Sequence, residues 1–174
     1  MGEPFASGVD GIDLAFGGPE LIDDLEPLWL SLFDWHAHIG SAQLPLVDRT
    51  SSWPRRRALY TELLGNDDAF VLVARRDDRP VGYALAYFHE GADDTWPTSD
   101  RIGEVESLAV VPEERGSGLG TALLDAAEAR LAALGATTVS IAVMVGNEDA
   151  QRFYERRGMR PTTVRLLRLG PRPS

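Results

Sequence analysis

Between Gly11 and Phe16 the chain alternates, with Ile12, Leu14 and Phe16 on one side, the period-two signature of a short strand. From Pro19 the period lengthens. Leu21, Ile22, Leu25, Leu28, Trp29, Leu32, Phe33 and Ile39 draw the apolar stripe of a helix opened by a proline–acid pair, and Pro27 marks a point where that helix can split or kink. Gly40 to Pro54 reads as a loop and Arg55 to Leu64 as a second short helix. Phe70–Ala74 and Val81–Phe88 are β-rich runs joined by Asp77-Asp78-Arg79-Pro80, a hairpin turn, and Glu90 to Arg101 is polar loop.

Glu104–Val111 predicts the next strand and Leu119–Leu134 the longest helix, ended by Gly135 in the usual capping place. Thr137–Val145 is nearly all apolar and β-branched, as expected of a strand buried on both faces. Strand, helix and strand here predict a right-handed parallel unit. Asn147–Arg157 is the last helix, and Thr162–Leu169 the last strand before a proline-rich tail. The sum is an α/β fold: a mixed, mostly antiparallel sheet with one parallel crossover, flanked by about four helices. No repeat, low-complexity segment or linker divides it, so residues 1–174 read as a single domain.

Composition narrows the class. At 174 residues and 44% hydrophobic, the chain can bury a core without metal or disulfide support. No run approaches membrane-spanning length and residues 1–10 lack a signal-peptide pattern, which makes the cytoplasm the simplest address. A formal charge of −10 opposes nucleic acid and suits a cationic acceptor. With no cysteine there is no disulfide, no thiolate metal site and no cysteine to carry an acyl group. His36 and His38 are not at metal-ligand spacing on one helix face, so no metal is expected.

The chemistry is concentrated where the strand ending near Val111 runs through Pro112 into Arg115-Gly116-Ser117-Gly118-Leu119-Gly120-Thr121 and straight into a helix. Glycines let the backbone approach an anion closely, and the helix start offers unpaired N–H groups and a positive dipole end. A P-loop would need Gly-Lys-Ser/Thr, and the chain has no lysine. A dinucleotide site would need its third glycine one residue later and an acid about 20 residues on, where Ser140–Val143 holds none.

Arg115 to Gly120 matches in every specified place the Arg/Gln-x-x-Gly-x-Gly/Ala signature of the GNAT acyltransferases, and residues 69–169 resemble that family. Asn147 and the run Phe153–Met159 fall where the family has its further pieces. The resemblance implies acetyl-coenzyme A as cosubstrate and a primary amine as acceptor. It implies pantetheine lying between splayed parallel strands against Leu108, Ala109 and Val110, with phosphates on Arg115, Gly116, Ser117, Gly118, Leu119, Gly120 and Thr121. Asn147 would touch the pantetheine arm as well as cap its helix, and Tyr154 would protonate the departing thiolate.

An ammonium must lose a proton before it attacks. Glu104 and Glu106, two apart on a strand and hence on one face, are the candidates to accept it, directly or through water. The acceptor site would draw on the first two helices and the middle loop, with Asp34, Trp35, His36, His38, Trp53, Tyr87, His89, Asp93, Asp94 and Trp96 in those regions. Trp53 and Trp96 read equally as core filling beneath loops. A homodimer is left open, and so are two other functions: a non-catalytic acyl-coenzyme A binding or sensing module, and an interaction protein docking through its Trp-rich N-terminal half.

Overall fold

The structure, a computed structural model, describes residues 2, 4–40, 44–91 and 95–170. It forms two compact units, Met1–Ala142 and Val143–Ser174. The larger unit holds a six-stranded sheet in the order β1 (Phe5–Ala6), β2 (Asp13–Gly17), β3 (Phe70–Arg76), β4 (Arg79–Glu90), β5 (Arg101–Val110) and β6 (Val139–Ile141). Every neighbouring pair is antiparallel except β5 and β6, which run parallel. The mixed α/β architecture is therefore as the sequence predicts.

Two layers of helix explain why β3 reads Phe-Val-Leu-Val-Ala without a polar side. Val71 and Val73 pack with Leu25, Leu28, Trp29, Trp53 and Tyr60 from the N-terminal helical segment, whereas Leu72 and Ala74 pack with Leu119 and Leu123 of α3 (Leu119–Ala133). A strand covered on both faces has no use for alternation. At the β3–β4 hairpin, Asp77 and Asp78 both take positive φ, +48° and +63°, as a two-residue turn matched to strand twist requires.

The predicted first helix is split, as Pro27 allows: a 3-10 segment, Pro19–Leu25, leads into α1 (Glu26–Gly40). The predicted loop up to Pro54 is corrected. Asp48 accepts from the Thr50 N–H at 2.7 Å and starts α2 (Arg49–Leu63), so Pro54 lies inside the helix, in its second turn, where the helix forgoes the bond to the Thr50 carbonyl.

Two strand predictions are also corrected. Thr137–Val145 shrinks to the three-residue β6, half-buried rather than covered on both faces. Thr162–Leu169 forms no strand; residues 159–170 carry no regular structure, and Val164, Leu166, Leu167 and Leu169 are exposed. A β-branched run becomes a strand only when it finds a sheet edge, and propensity does not supply one. The C-terminal unit contains α4 (Glu148–Arg156), as predicted. No helix among the described residues is long and apolar enough to cross a membrane.

Gly103 sets how closely α3 approaches β5. A Cβ built there would lie 3.0 Å from both methyls of Leu131 and 3.3 Å from Ala136 Cβ. Gly103→Ala should therefore cost about 1–3 kcal/mol by overpacking. Leu131→Ala alone should cost about 2–5 kcal/mol as a cavity. The double variant should be more stable than the sum of the two losses, since each relieves the other. Urea unfolding of the four proteins checks this, and strict additivity would refute the contact.

Candidate active site

The glycine turn follows β5 without a break. Val111 N–H bonds the Val81 carbonyl at 3.0 Å, Pro112–Glu114 make one 3-10 turn, Arg115 is extended, and α3 begins at Leu119. Gly116 and Gly118 sit at φ +79° and +94°, a region that costs other L-residues energy. A Cβ on Gly116 would meet nothing within 4 Å, and on Gly118 only Val9 at 4.0 Å, so both face open space. Gly120 is different: it lies within α3 and is not among the positive-φ residues, so backbone angle does not require a glycine there.

The turn is tied down from within and from the sheet. The Ser117 hydroxyl donates to the Glu114 carbonyl at 2.7 Å and accepts from Leu119 N–H at 3.3 Å. This leaves Gly120 and Thr121 as first-turn N–H groups with no acceptor inside the helix. Arg76 on β3 grips the Glu114 carboxylate with two bonds, 2.6 and 3.0 Å, which hold that carboxyl below its usual range. Arg115 folds back to bond the Val110 carbonyl at 3.3 Å, with its guanidinium 5.4 Å from the centre of the Trp35 ring. Beside it an open groove of about 600 Å³ is lined by Ser31, Trp35, His38, Arg79, Pro112 and Arg115 among others.

Leu108, Ala109 and Val110 lie on a strand with one open side. The parallel pairing comprises Gly103–Val139, Glu104–Ser140 and Val105–Ile141, and ends there. β5 continues to Val110 with β4 on one edge and no described strand on the other. Apart from the Val110 carbonyl, which accepts from Arg115, the backbone donors and acceptors of that edge meet no described strand, as the binding of an extended ligand requires.

At this same point β5 carries a bulge. Leu85 opposes Ser107 and Ala86 opposes Val105, which leaves Glu106 as the extra residue. A bulge lets two consecutive side chains leave the strand on one face. Glu106 and Ser107 both reach α2: Arg56 donates to Glu106 Oε1 at 2.6 Å, and the Tyr60 hydroxyl donates to Ser107 Oγ at 2.7 Å. Gly103 faces α3, so Glu104 is on the α1–α2 face with them. The expected sharing of one face thus holds, but the two carboxylates have different partners. Glu104 accepts from the Ser140 hydroxyl and has His89 Nε2 at 3.7 Å. The side chains of Glu104 and Glu106 are only 14% and 23% exposed, unlike ordinary surface acids.

Asn147 and Tyr154 belong to the C-terminal unit. Asn147 Oδ1 accepts from Ala150 N–H at 3.3 Å, the N-cap of α4. Tyr154 is buried, its ring edge-on to Phe153 at 5.1 Å between centres, and burial pushes its phenol far above the ordinary value.

Of the acceptor-region residues, Asp34 is held by Arg49 in two bonds of 2.8 and 3.0 Å, and Trp53 is buried in the core. His36 is half-buried, and desolvation followed by the charge of Arg56 depresses its pKa, so its ring is neutral at pH 7. Trp96 is 55% exposed and fills no core. Asp93 and Asp94 lie outside the described residues.

Sequence reasoning missed Arg56, Tyr60, Tyr83 and Ser107. Arg56 sits in an Arg-Arg-Arg run that reads as a solvated face, yet its guanidinium stacks 3.9 Å from the Trp29 ring centre while bonding Glu106. The available signal was the spacing of Trp53, Arg56 and Tyr60, three and four apart and therefore on one side of a helix. Because Tyr60 spends its only proton on Ser107, the 2.8 Å contact with Tyr83 requires Tyr83 to donate.

Comparison with known proteins fits this geometry. A model of the acetyltransferase (GNAT) family matches residues 29–159. An uncharacterized N-acetyltransferase of Mycobacterium tuberculosis is 34% identical over 113 residues, 65% of this chain and 67% of that one. A putative ribosomal protein bS18-alanine N-acetyltransferase of Bacillus subtilis is 32% identical over 116 residues, 67% of this chain and 70% of that one. A mycothiol acetyltransferase of Thermobispora bispora is 38% identical over 82% of this chain, which spans only 45% of that longer protein. Among solved structures, a GCN5-related N-acetyltransferase from Ralstonia eutropha superposes with a TM-score of 0.73 at 21% identity, covering 91% of this chain and 99% of the other. The chain belongs to the GNAT family of acetyltransferases and is an acyltransferase.

Tyr60 is the middle of the buried hydroxyl chain, so Tyr60→Phe leaves two hydroxyls short of a partner and Tyr83→Phe only one. Tyr60→Phe should cost about 1–3 kcal/mol in urea unfolding, and more than Tyr83→Phe. The reverse order would refute Tyr60 as the middle of the chain.

Proposed function

We propose that the protein transfers an acetyl group from acetyl-coenzyme A to a primary amine by direct attack in a ternary complex. The observation that carries this reading is the continuity of the unpaired β5 edge, Glu106 to Val110, with the glycine turn and the N-terminus of α3. A pantetheine arm carries amide groups in an extended chain and can add to such an edge as a strand would. The pyrophosphate at its end then falls on the N–H groups of Gly116 to Thr121, at the positive end of the helix dipole. A chain of charge −10 without lysine must bind a polyanion through such local donors, since its overall field is repulsive.

In this reading Glu104 takes the proton from the ammonium. Its contacts are a serine hydroxyl and an imidazole, whereas Glu106 is engaged by Arg56 and orients the acceptor side of the cleft. Tyr154 returns a proton to the thiolate. A buried phenol whose pKa is pushed up keeps its proton through the physiological range, as an acid must. Asn147 both caps α4 and meets the pantetheine arm. Residues 1–174 act as one domain, which the family match across both compact units supports. The relative named for a ribosomal-protein alanine supports an amine acceptor.

The test is acetyl-coenzyme A turnover against a panel containing an alanine-initiated peptide, a polyamine and an aminoglycoside, read by thiol release. The cysteine-free chain adds no thiol of its own. Lines that intersect in double-reciprocal plots are expected, and thiol release with none of these amines would overturn the reading.

Two variants sharpen it. Gly118→Val places a β-branched residue at φ +94° and fills open space, so calorimetry should find acetyl-coenzyme A binding abolished in a protein whose far-UV spectrum is unchanged. Tyr154→Phe should lower kcat by roughly 100-fold with the KM for acetyl-coenzyme A nearly unchanged. An unaltered kcat would remove Tyr154 from the mechanism.

A further inference from the structure

We propose that His89 is the exit for the proton that Glu104 removes from the amine, passing it from the enclosed carboxylate to solvent. The inference rests on the acetyl-transfer reading above. Its starting point is the atom balance of that reaction: an ammonium and a thioester give an amide, a thiol and one free proton. An ammonium N–H bond breaks and an O–H bond forms on Glu104. A second proton leaves the attacking nitrogen and restores the one that Tyr154 gives to the thiolate. Per turnover one proton is surplus, and Glu104 must shed it before the next cycle.

Glu104 is poorly placed to shed it to water directly, with 14% of its side chain exposed. Among the described residues, two side chains approach its Oε2. Ser140, on β6, uses its hydroxyl proton as a donor to that oxygen and so has no lone-pair role toward it. His89, on β4, has Nε2 at 3.7 Å, longer than a hydrogen bond and closed by a small side-chain rotation or one water.

The ring's other nitrogen decides its tautomer. His89 Nδ1 lies 2.8 Å from the Glu90 carbonyl oxygen, which can only accept, so Nδ1 carries the hydrogen. In the neutral ring the bare lone pair is then on Nε2, facing Glu104. His89 is 39% exposed at the side chain, so one residue touches both the carboxylate and the solvent.

The register makes this contact a property of the sheet. Glu104 pairs with Tyr87 on β4 and with Ser140 on β6, and His89 is two residues beyond Tyr87 on the same face. The Tyr87 ring stands beside the imidazole at 6.1 Å between centres. Among the described residues, the charged and titratable groups facing the imidazole are Glu104 from β5 and the Tyr87 phenol from its own strand, with Glu90 adjacent in the chain. Arg56 is taken up by Glu106.

In the relay, the Glu104 O–H bond breaks as the Nε2–H bond forms, and the resulting imidazolium gives a proton to water. His89 touches neither the acetyl group nor the amine and acts only through Glu104.

The experiment uses the whole chain with whichever amine of the panel gives the fastest thiol release. His89→Gln and His89→Asn are compared with wild type in a weakly buffered medium and with increasing imidazole. Both variants should lose about tenfold or more in kcat, keep the KM for acetyl-coenzyme A, and regain kcat as imidazole rises, while wild type stays indifferent to it. A wild-type kcat in both variants overturns the relay. A loss that imidazole does not restore also overturns it, because that is the mark of a structural role.

Glu104→Gln, run alongside, separates the two ideas. Full activity in that variant sinks Glu104 as the base and the relay with it. Lost activity in Glu104→Gln with imidazole-insensitive His89 variants sinks the relay alone. No turnover with any amine of the panel overturns the acetyl-transfer reading itself.

Discussion

The bulge at Glu106 is the constraint on which the site depends. A regular β5 would send Glu106 and Ser107 to opposite faces, and one of them would lie against α3 as a buried polar group without a partner. With the extra residue, both reach α2, where Arg56 and Tyr60 satisfy them. The strand also loses its parallel partner one residue before the bulge. The same short stretch therefore supplies polar side chains to one face of the sheet and free backbone groups at its edge.

The helical layer on that face is held by interactions that serve packing and polarity at once. Arg56 neutralises Glu106 while its guanidinium covers the Trp29 ring, and Trp29 Nε1 donates to Ser52 at 3.0 Å in the core. Burying an ion pair costs desolvation, and the pair holds because additional contacts compensate both ions. The Tyr83–Tyr60–Ser107 chain does the equivalent for neutral hydroxyls, leaving the Ser107 proton free of the chain's own needs.

Much of the fold was legible because it depends on local rules. The unbroken apolar run of β3, the Asp-Asp turn, the capping glycine of α3 and the Asn147 cap each follow from propensity or periodicity within a few residues. The errors have one cause. The stretch up to Pro54 was read as loop with the helix starting at Arg55, although Asp48 caps a helix that begins at Arg49 and runs through the proline. Thr162–Leu169 was read as a strand, although a strand requires a neighbour that no residue in the run can provide. The glycine turn was legible down to single residues, except that Gly120 lies in α3 without a positive φ.

What the sequence by itself determined is the set of features whose physics is local: strand and helix periods, the backbone freedom of Gly116 and Gly118, the open N-terminus of α3, and the pairing of Glu104 with Glu106 on one face. What only the tertiary structure decided is which carboxylate meets which partner. Arg56 is 50 residues from Glu106, Ser140 is 36 from Glu104, and His89 lies across a strand pair. Those meetings are fixed by the register of β4, β5 and β6 and by one inserted residue. Cross-strand register follows from which faces find a core to pack against, and no short stretch of chain contains that information.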